Sequence, residues 1–273
     1  MDGTPAPTAP PAPHKLLVLA TIAPMACFTK NVAGDLADVA MIVPPGANGR
    51  TFQPAPADVQ KILQADVVIE NGFGFEPWMD KIEAGGLKPG AIRILAARGT
   101  GPGIPGLPGD PNTPPGPPPD FSNPSVAAGP PDPHVWLDPM MAIKEIQNIR
   151  DALMARDPAN ADQYLANENR YESTLRDLDD TVGRTTVDIQ KRRLLCPDAT
   201  FSYFLSRYEF TVAPDAMDAD ATLVTTGSDT GRLNGNGRPI VIADPMESGS
   251  ASADFYERAT LANAGALRKA LLR

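Results

Sequence analysis

The chain has 273 residues, 42% of them hydrophobic, and a formal net charge of -9. That length supports packed cores, while the acidic balance leaves no basic surface of the kind nucleic-acid phosphates require. Its two cysteines, Cys27 and Cys196, are too few for a disulfide framework or a thiolate zinc cluster, and they read as buried apolar residues.

Residues 1–14 alternate Pro, Ala and Thr and are expected to form a disordered tail, because they cannot bury enough apolar surface to offset the entropy of ordering. Lys15 to Cys27 carries a positive residue, an apolar run and a small residue before cysteine. The run is short for a signal peptide and Pro24-Met25 fits a cleavage site poorly, so the segment reads as the first strand. From there short β-branched runs alternate with helical segments. Strands are expected at Leu16–Ala20, Val39–Val43, Val67–Glu70 and Ile92–Ala96, with helices over Cys27–Ala33, Ala57–Gln64 and Pro77–Ile82. This βαβ rhythm predicts a mostly parallel sheet flanked by helices, with ligand-binding loops along one edge. Residues 98–131 are rich in Pro and Gly and read as an extended loop. Helical spacing resumes at Met140, and the breaker Asp157-Pro158 leads into a longer helix from about Ala159 to Gln190. A helix of roughly thirty residues spans on the order of 45 Å, enough to join two lobes. A second run follows, with strands at Leu194–Cys196, Phe210–Ala213 and Ile240–Ala243, a helix over Thr200–Tyr208, and a terminal helix from Asp254. Residues 217–238 are rich in Gly, Asp and Thr, so this lobe is expected to lack a full βα unit. The reading is an α/β fold of two lobes, each a mostly parallel sheet flanked by helices, joined by a long rigid helix. The divisions are 15–157 for the first lobe, 158–191 for the connecting helix and 192–273 for a short second lobe.

Only two histidines occur, His14 in the tail and His134 in Asp132-Pro133-His134-Val135-Trp136-Leu137-Asp138-Pro139. Any chemistry that needs an imidazole therefore falls to His134. Together with Val43-Pro44-Pro45-Gly46-Ala47, with Asn71-Gly72-Phe73-Gly74-Phe75-Glu76-Pro77-Trp78, with Phe201-Ser202-Tyr203-Phe204 and with Asp244-Pro245-Met246, this motif resembles the solute-binding proteins of zinc and manganese ABC importers. That family also includes metal-binding surface adhesins. The resemblance implies a metal held between two lobes by one ligand from each of four loops. Carried over by motif, the metal ligands would be His134, Asp198 and Asp244. The first-ligand position, normally a histidine after Pro-Pro-Gly-Ala, is taken here by Arg50. A guanidinium has five donors and no lone pair to give, so Arg50 cannot coordinate a cation. Two arrangements follow. Either water fills the open position of a carboxylate-rich site that leans toward manganese over zinc, or Arg50 pairs with Asp198 or Asp244 and closes the site with its own charge.

Each of these residues also has a plainer role. Asp198 and Asp244 can cap helices, Asp138 before Pro139 fits an N-cap with proline at the first helical position, and Trp78 and Trp136 suit packing. Cys196 lies at an apolar strand end with nothing to lower its pKa, which argues against a nucleophile. Gly72 and Gly74 lack the third glycine of a dinucleotide fingerprint. The function implied by the resemblance is not enzymatic. It is capture of a divalent cation, Mn2+ or Zn2+, as transported ligand by a monomer outside the cytoplasm, in the periplasm or at the cell surface, for delivery to an ABC permease. The alternative is a degenerate interaction or adhesion protein on the same scaffold.

Overall fold

The structure, a computed structural model, describes residues 15–83, 85–100, 132–230 and 237–272. The expected tail and most of the Pro-rich loop lie outside these residues. In chain order the first part runs β1 (Leu16–Ala20), α1 (Ala23–Ala33), β2 (Ala37–Met41), α2 (Pro56–Gln64), β3 (Val67–Glu70), α3 (Met79–Glu83), β4 (Ile92–Leu95) and α4 (Pro139–Arg156). After a short turn come α5 (Ala161–Thr186), β5 (Arg193–Leu195), α6 (Ser202–Arg207), β6 (Thr211–Val212), β7 (Ala221–Thr225), β8 (Ile240–Ala243) and α7 (Phe255–Leu271).

The strands form two four-stranded sheets of the same winding, β2-β1-β3-β4 and β6-β5-β7-β8, with every pair parallel. Parallel sheets hide both faces, which explains continuous apolar runs such as Leu-Leu-Val-Leu-Ala in β1 and the fully buried Val-Val-Ile-Glu of β3. Two α/β lobes joined by a long helix are what the sequence predicts, but boundaries differ at strands as well as helices: β2 lies two residues before the expected Val39–Val43, and β6 is only Thr211–Val212. α1 starts four residues earlier than expected because Pro24, which looks like a breaker, sits in the first turn, where its missing N–H costs nothing. α5 is 26 residues long, about 39 Å: Pro158–Asn160 forms a separate turn of 3-10 helix before it, and α5 ends at Thr186 rather than at Gln190.

A strand that the sequence reading missed is β7. It lies inside the Gly- and Asp-rich stretch, and four of its five residues are buried. Among the described residues α6 joins β5 to β6, and no α-helix joins β6 to β7 or β7 to β8.

The two lobes share one contiguous apolar core. At its centre α1 packs against α4, α5 and α7, with Phe28 edge-on to Tyr256 at 4.9 Å between ring centroids. α5 turns a buried stripe of Tyr164, Tyr171, Leu175, Leu178 and Val182 to that core at helical spacing. The terminal helix thus returns to the first lobe, and the lobes are held together by packing as well as by α5.

Candidate metal-capture site

The candidate residues gather beyond the carboxyl ends of the strands, where open parallel sheets bind ligands. Past β2, Asn48 folds its side chain back so that Oδ1 accepts the N–H groups of Arg50 at 3.0 Å and Thr51 at 3.1 Å. Past β3, the buried Glu76 carboxylate accepts the Thr21 hydroxyl at 2.6 Å and the N–H groups of Asn71 and Gly72 at 2.8 and 3.2 Å. That turn sets Phe75 edge-on to both His134 and Trp136, at 5.8 and 5.2 Å between centroids. Asn71 Nδ2 also donates to the Pro133 carbonyl at 2.9 Å, pinning the backbone one residue before the imidazole.

His134 is buried, and each of its ring nitrogens meets a carboxylate. Nδ1 lies 2.5 Å from Asp132 Oδ1 and Nε2 lies 2.7 Å from Glu247 Oε1. The carboxylates are held in turn. Asp132 Oδ2 accepts from the Ser202 hydroxyl at 2.6 Å, and Glu247 Oε2 accepts from Asn48 Nδ2 at 3.1 Å. Burial alone would favour the neutral ring, but hydrogen bonding and attraction from Asp132 and Glu247 outweigh it and raise the pKa above its usual 6.5. In the protonated ring both nitrogens donate. Loss of one proton would leave a lone pair facing a carboxylate oxygen, and that nitrogen is then poised to accept a cation instead.

The other expected ligands stand apart from this arrangement. Asp198 Oδ1 accepts the Thr200 N–H at 3.0 Å, closing a local turn ahead of α6. Asp244 Oδ1 accepts the Met246 N–H at 2.8 Å, while its backbone N–H and carbonyl both pair with the Asn263 side chain. Neither aspartate is the N-cap residue of its helix, since Phe201 and Asp254 hold those positions. Among the described residues no group of three or more His, Cys, Asp and Glu side chains converges in a way that could hold a metal ion.

The expected closing ion pair is also absent. Among the described residues Arg50 pairs with neither Asp198 nor Asp244; its guanidinium carbon lies over the Phe75 ring, 5.2 Å from the centroid. What occupies His134 is Glu247, which the sequence reading passed over in favour of Asp244. Between the two acids lies Met246, a buried non-glycine residue at φ 64°. This left-handed kink costs on the order of 1–2 kcal/mol and carries the chain from Asp244 to Glu247. Asp132, two residues before His134, is likewise a partner of the ring that its motif alone does not mark as one.

Other expectations resolve as packing. Asp138 caps α4, with Oδ1 accepting the Met140 N–H at 2.8 Å. Trp136 donates to the Pro245 carbonyl at 2.9 Å and Trp78 to the Gly49 carbonyl at 2.8 Å. Cys27 is buried, whereas Cys196 is only partly so, against expectation. Burial pushes both thiols up to about 11, the reverse of an activated nucleophile.

The family described as the zinc-uptake complex component A, periplasmic, matches residues 18–260. The chain is 30% identical over 202 residues to the high-affinity zinc uptake system protein ZnuA of Bacillus subtilis, covering 74% of this chain and 61% of that protein. It is 30% identical over 209 residues to the iron-binding protein YfeA of Yersinia pestis, covering 72% of this chain and 58% of that one. The chain thus spans about three-fifths of the length of these relatives. Its fold is similar to that of the solute-binding protein FpvC of Pseudomonas aeruginosa, solved in complex with Mn2+, at a TM-score of 0.77 and 22% identity over 95% of this chain and 99% of that one. Matched across most of its described length, the chain belongs to the zinc-uptake complex component A family.

Proposed function

We propose that the protein captures a divalent metal ion, Mn2+ or Zn2+, between its two lobes outside the cytoplasm and delivers it to the permease of an ABC transporter. The observation that carries this reading is His134, buried where the lobes meet, with its Nε2 turned to a carboxylate of the second lobe. The family relation supports it, and the relatives are described as zinc-uptake, iron-binding and Mn2+-bound proteins. The lobes divide as 15–157 and 192–273 across the 158–191 segment. The cargo is held by His134 together with carboxylates of the second lobe. Glu247 is the one already in contact, and Asp198 and Asp244 lie on the flanking loops and reach the ion by leaving their local turns. Arg50 gives no ligand, so oxygen donors dominate, and such a set suits manganese better than zinc. The chain acts by binding and release, without catalysis. The net charge of -9 favours the approach of cations.

The test is equilibrium dialysis of the metal-stripped protein against equimolar Mn2+ and Zn2+, with bound metal counted by mass spectrometry. One ion per chain is expected, with none on His134→Ala. Equal metal on both proteins would reject His134 as the anchor.

A further inference from the structure

The geometry points to a second ligand site, in the first lobe, for a small organic carboxylate with a flat apolar body. It does not rest on the metal reading. A cleft of about 290 Å3 opens between the Arg50–Pro54 segment and the start of α3, and both Arg50 and Lys81 line it. Neither cation has a carboxylate partner among the described residues. The nearby acids are engaged elsewhere, Asp58 with the Ala55 N–H and with Lys61, and Asp80 with Arg93. The cleft thus carries two unneutralised cations although the chain as a whole has a net charge of -9.

Apart from Gln53, the rest of the lining is apolar. Phe52 and Trp78 meet edge to face at 5.4 Å, and Pro77 and Ile82 complete the walls. Trp78 is anchored by its hydrogen bond to the Gly49 carbonyl. Arg50 is also set in place, by the Asn48 side chain at its N–H and by the Phe75 ring under its guanidinium. Gly49 permits this close approach, since a Cβ there would lie 2.6 Å from Phe75 Cε1. Two cations at the rim and an aromatic wall select an anion on a flat apolar stem. A guanidinium offers a bidentate fork to a carboxylate, and ring edges favour contact with the face of an aromatic ligand.

Benzoate is the probe, with benzyl alcohol and inorganic phosphate as the neutral and the purely anionic comparisons. In NMR titrations of the full chain, benzoate should bind saturably and move the Val59 and Ile82 methyl signals and the Trp78 indole N–H. Arg50→Gln should weaken it about tenfold, the scale of one charge-assisted hydrogen bond, and Lys81→Gln about threefold. Lys61→Gln, which alters a lysine outside the cleft, should leave it unchanged. Arg50, Lys61 and Lys81 are all exposed, and matching thermal melts of the variants would verify their folding. The proposal is overturned if benzoate fails to saturate, if either comparison compound binds as tightly, or if the two cleft variants bind like the parent.

Discussion

Under the proposed function, His134 between Asp132 and Glu247 makes metal capture a contest with a proton. The ring's pKa is raised, so a cation must displace a proton whenever the pH lies below that value. Affinity for Mn2+ should therefore tighten by about tenfold per pH unit across the acidic range and level off once the ring is neutral. Titrations at several pH values, in buffers of different ionisation enthalpy, would reveal the single released proton, and a pH-independent affinity would contradict the contest. Two buried acids make stability itself depend on pH. Burial, partly offset by its three hydrogen bonds, pushes Glu76 up to about 7. Glu145 is raised well above 4.5 by burial and by the nearby Glu76, and among the described residues neither of its oxygens has a hydrogen-bond partner. For carboxyls whose folded pKa is raised, the native state holds protons that the unfolded chain has released. Their contribution is present below about pH 4.5 and is lost as pH rises through the folded values, with a slope of about 1.4 kcal/mol per pH unit for each such proton. His134 acts with the same sign, its contribution fading as pH rises through its own raised pKa. Melting temperature should fall from pH 5 to pH 8, and Glu145→Leu should flatten that decline. An unchanged slope in the variant would show that Glu145 does not titrate as described.

At the scale of elements, the loops that build the site depend on how their helices start. Asp138 caps α4 directly behind the His134 segment, and burial raises its carboxyl to about 6. Asp138→Asn keeps the cap acceptor and removes a buried charge, whereas Asp138→Ala removes the cap. The alanine variant should be the less stable of the two by about 1 kcal/mol at neutral pH, and denaturant melts decide it. Equal midpoints would mean the cap carries no weight. Gly249, just past Glu247, has no room for a side chain, since a Cβ would lie 1.8 Å from Phe255 Cζ. Gly249→Ala must shift the entry to α7 or the loop holding Glu247, at a cost of roughly 1–3 kcal/mol. Elements with strong periodicity or long apolar runs were legible in the sequence, as β1, β3 and β8 were to the residue. β7 was not, because Ala-Thr-Leu-Val-Thr lies between Asp- and Gly-rich neighbours that read as loop. Glu247 was hidden for a different reason. Its position follows from the backbone turn at Met246, and residue type alone does not announce a left-handed methionine.

For the molecule as a whole, the shared core and the packing of α1 against α5 and α7 make the lobes one cooperative unit. Thermal unfolding should appear as one transition, coincident by far-UV circular dichroism and by fluorescence of Trp78 and Trp136; two separated transitions would show that the lobes unfold independently. The same packing limits wide hinge opening, so under the proposed function capture and release fall to the loops around His134 and to small lobe shifts. The two-lobed architecture was legible because βα alternation and a long helix are written in periodicity. The ligand set was only partly so. His134 stands out as the sole histidine beyond the tail, whereas the choice among Asp198, Asp244 and Glu247 depends on which turn each carboxylate closes. The most direct measurement is a calorimetric titration of the metal-stripped protein with Mn2+ and with Zn2+, paired with thermal melts. A ligand that binds only the native state must raise the melting temperature. Saturable one-to-one binding with a matching upward shift, lost in His134→Ala and strongly weakened in Glu247→Gln, is the predicted result. No heat and no shift with either ion would contradict metal capture by this chain.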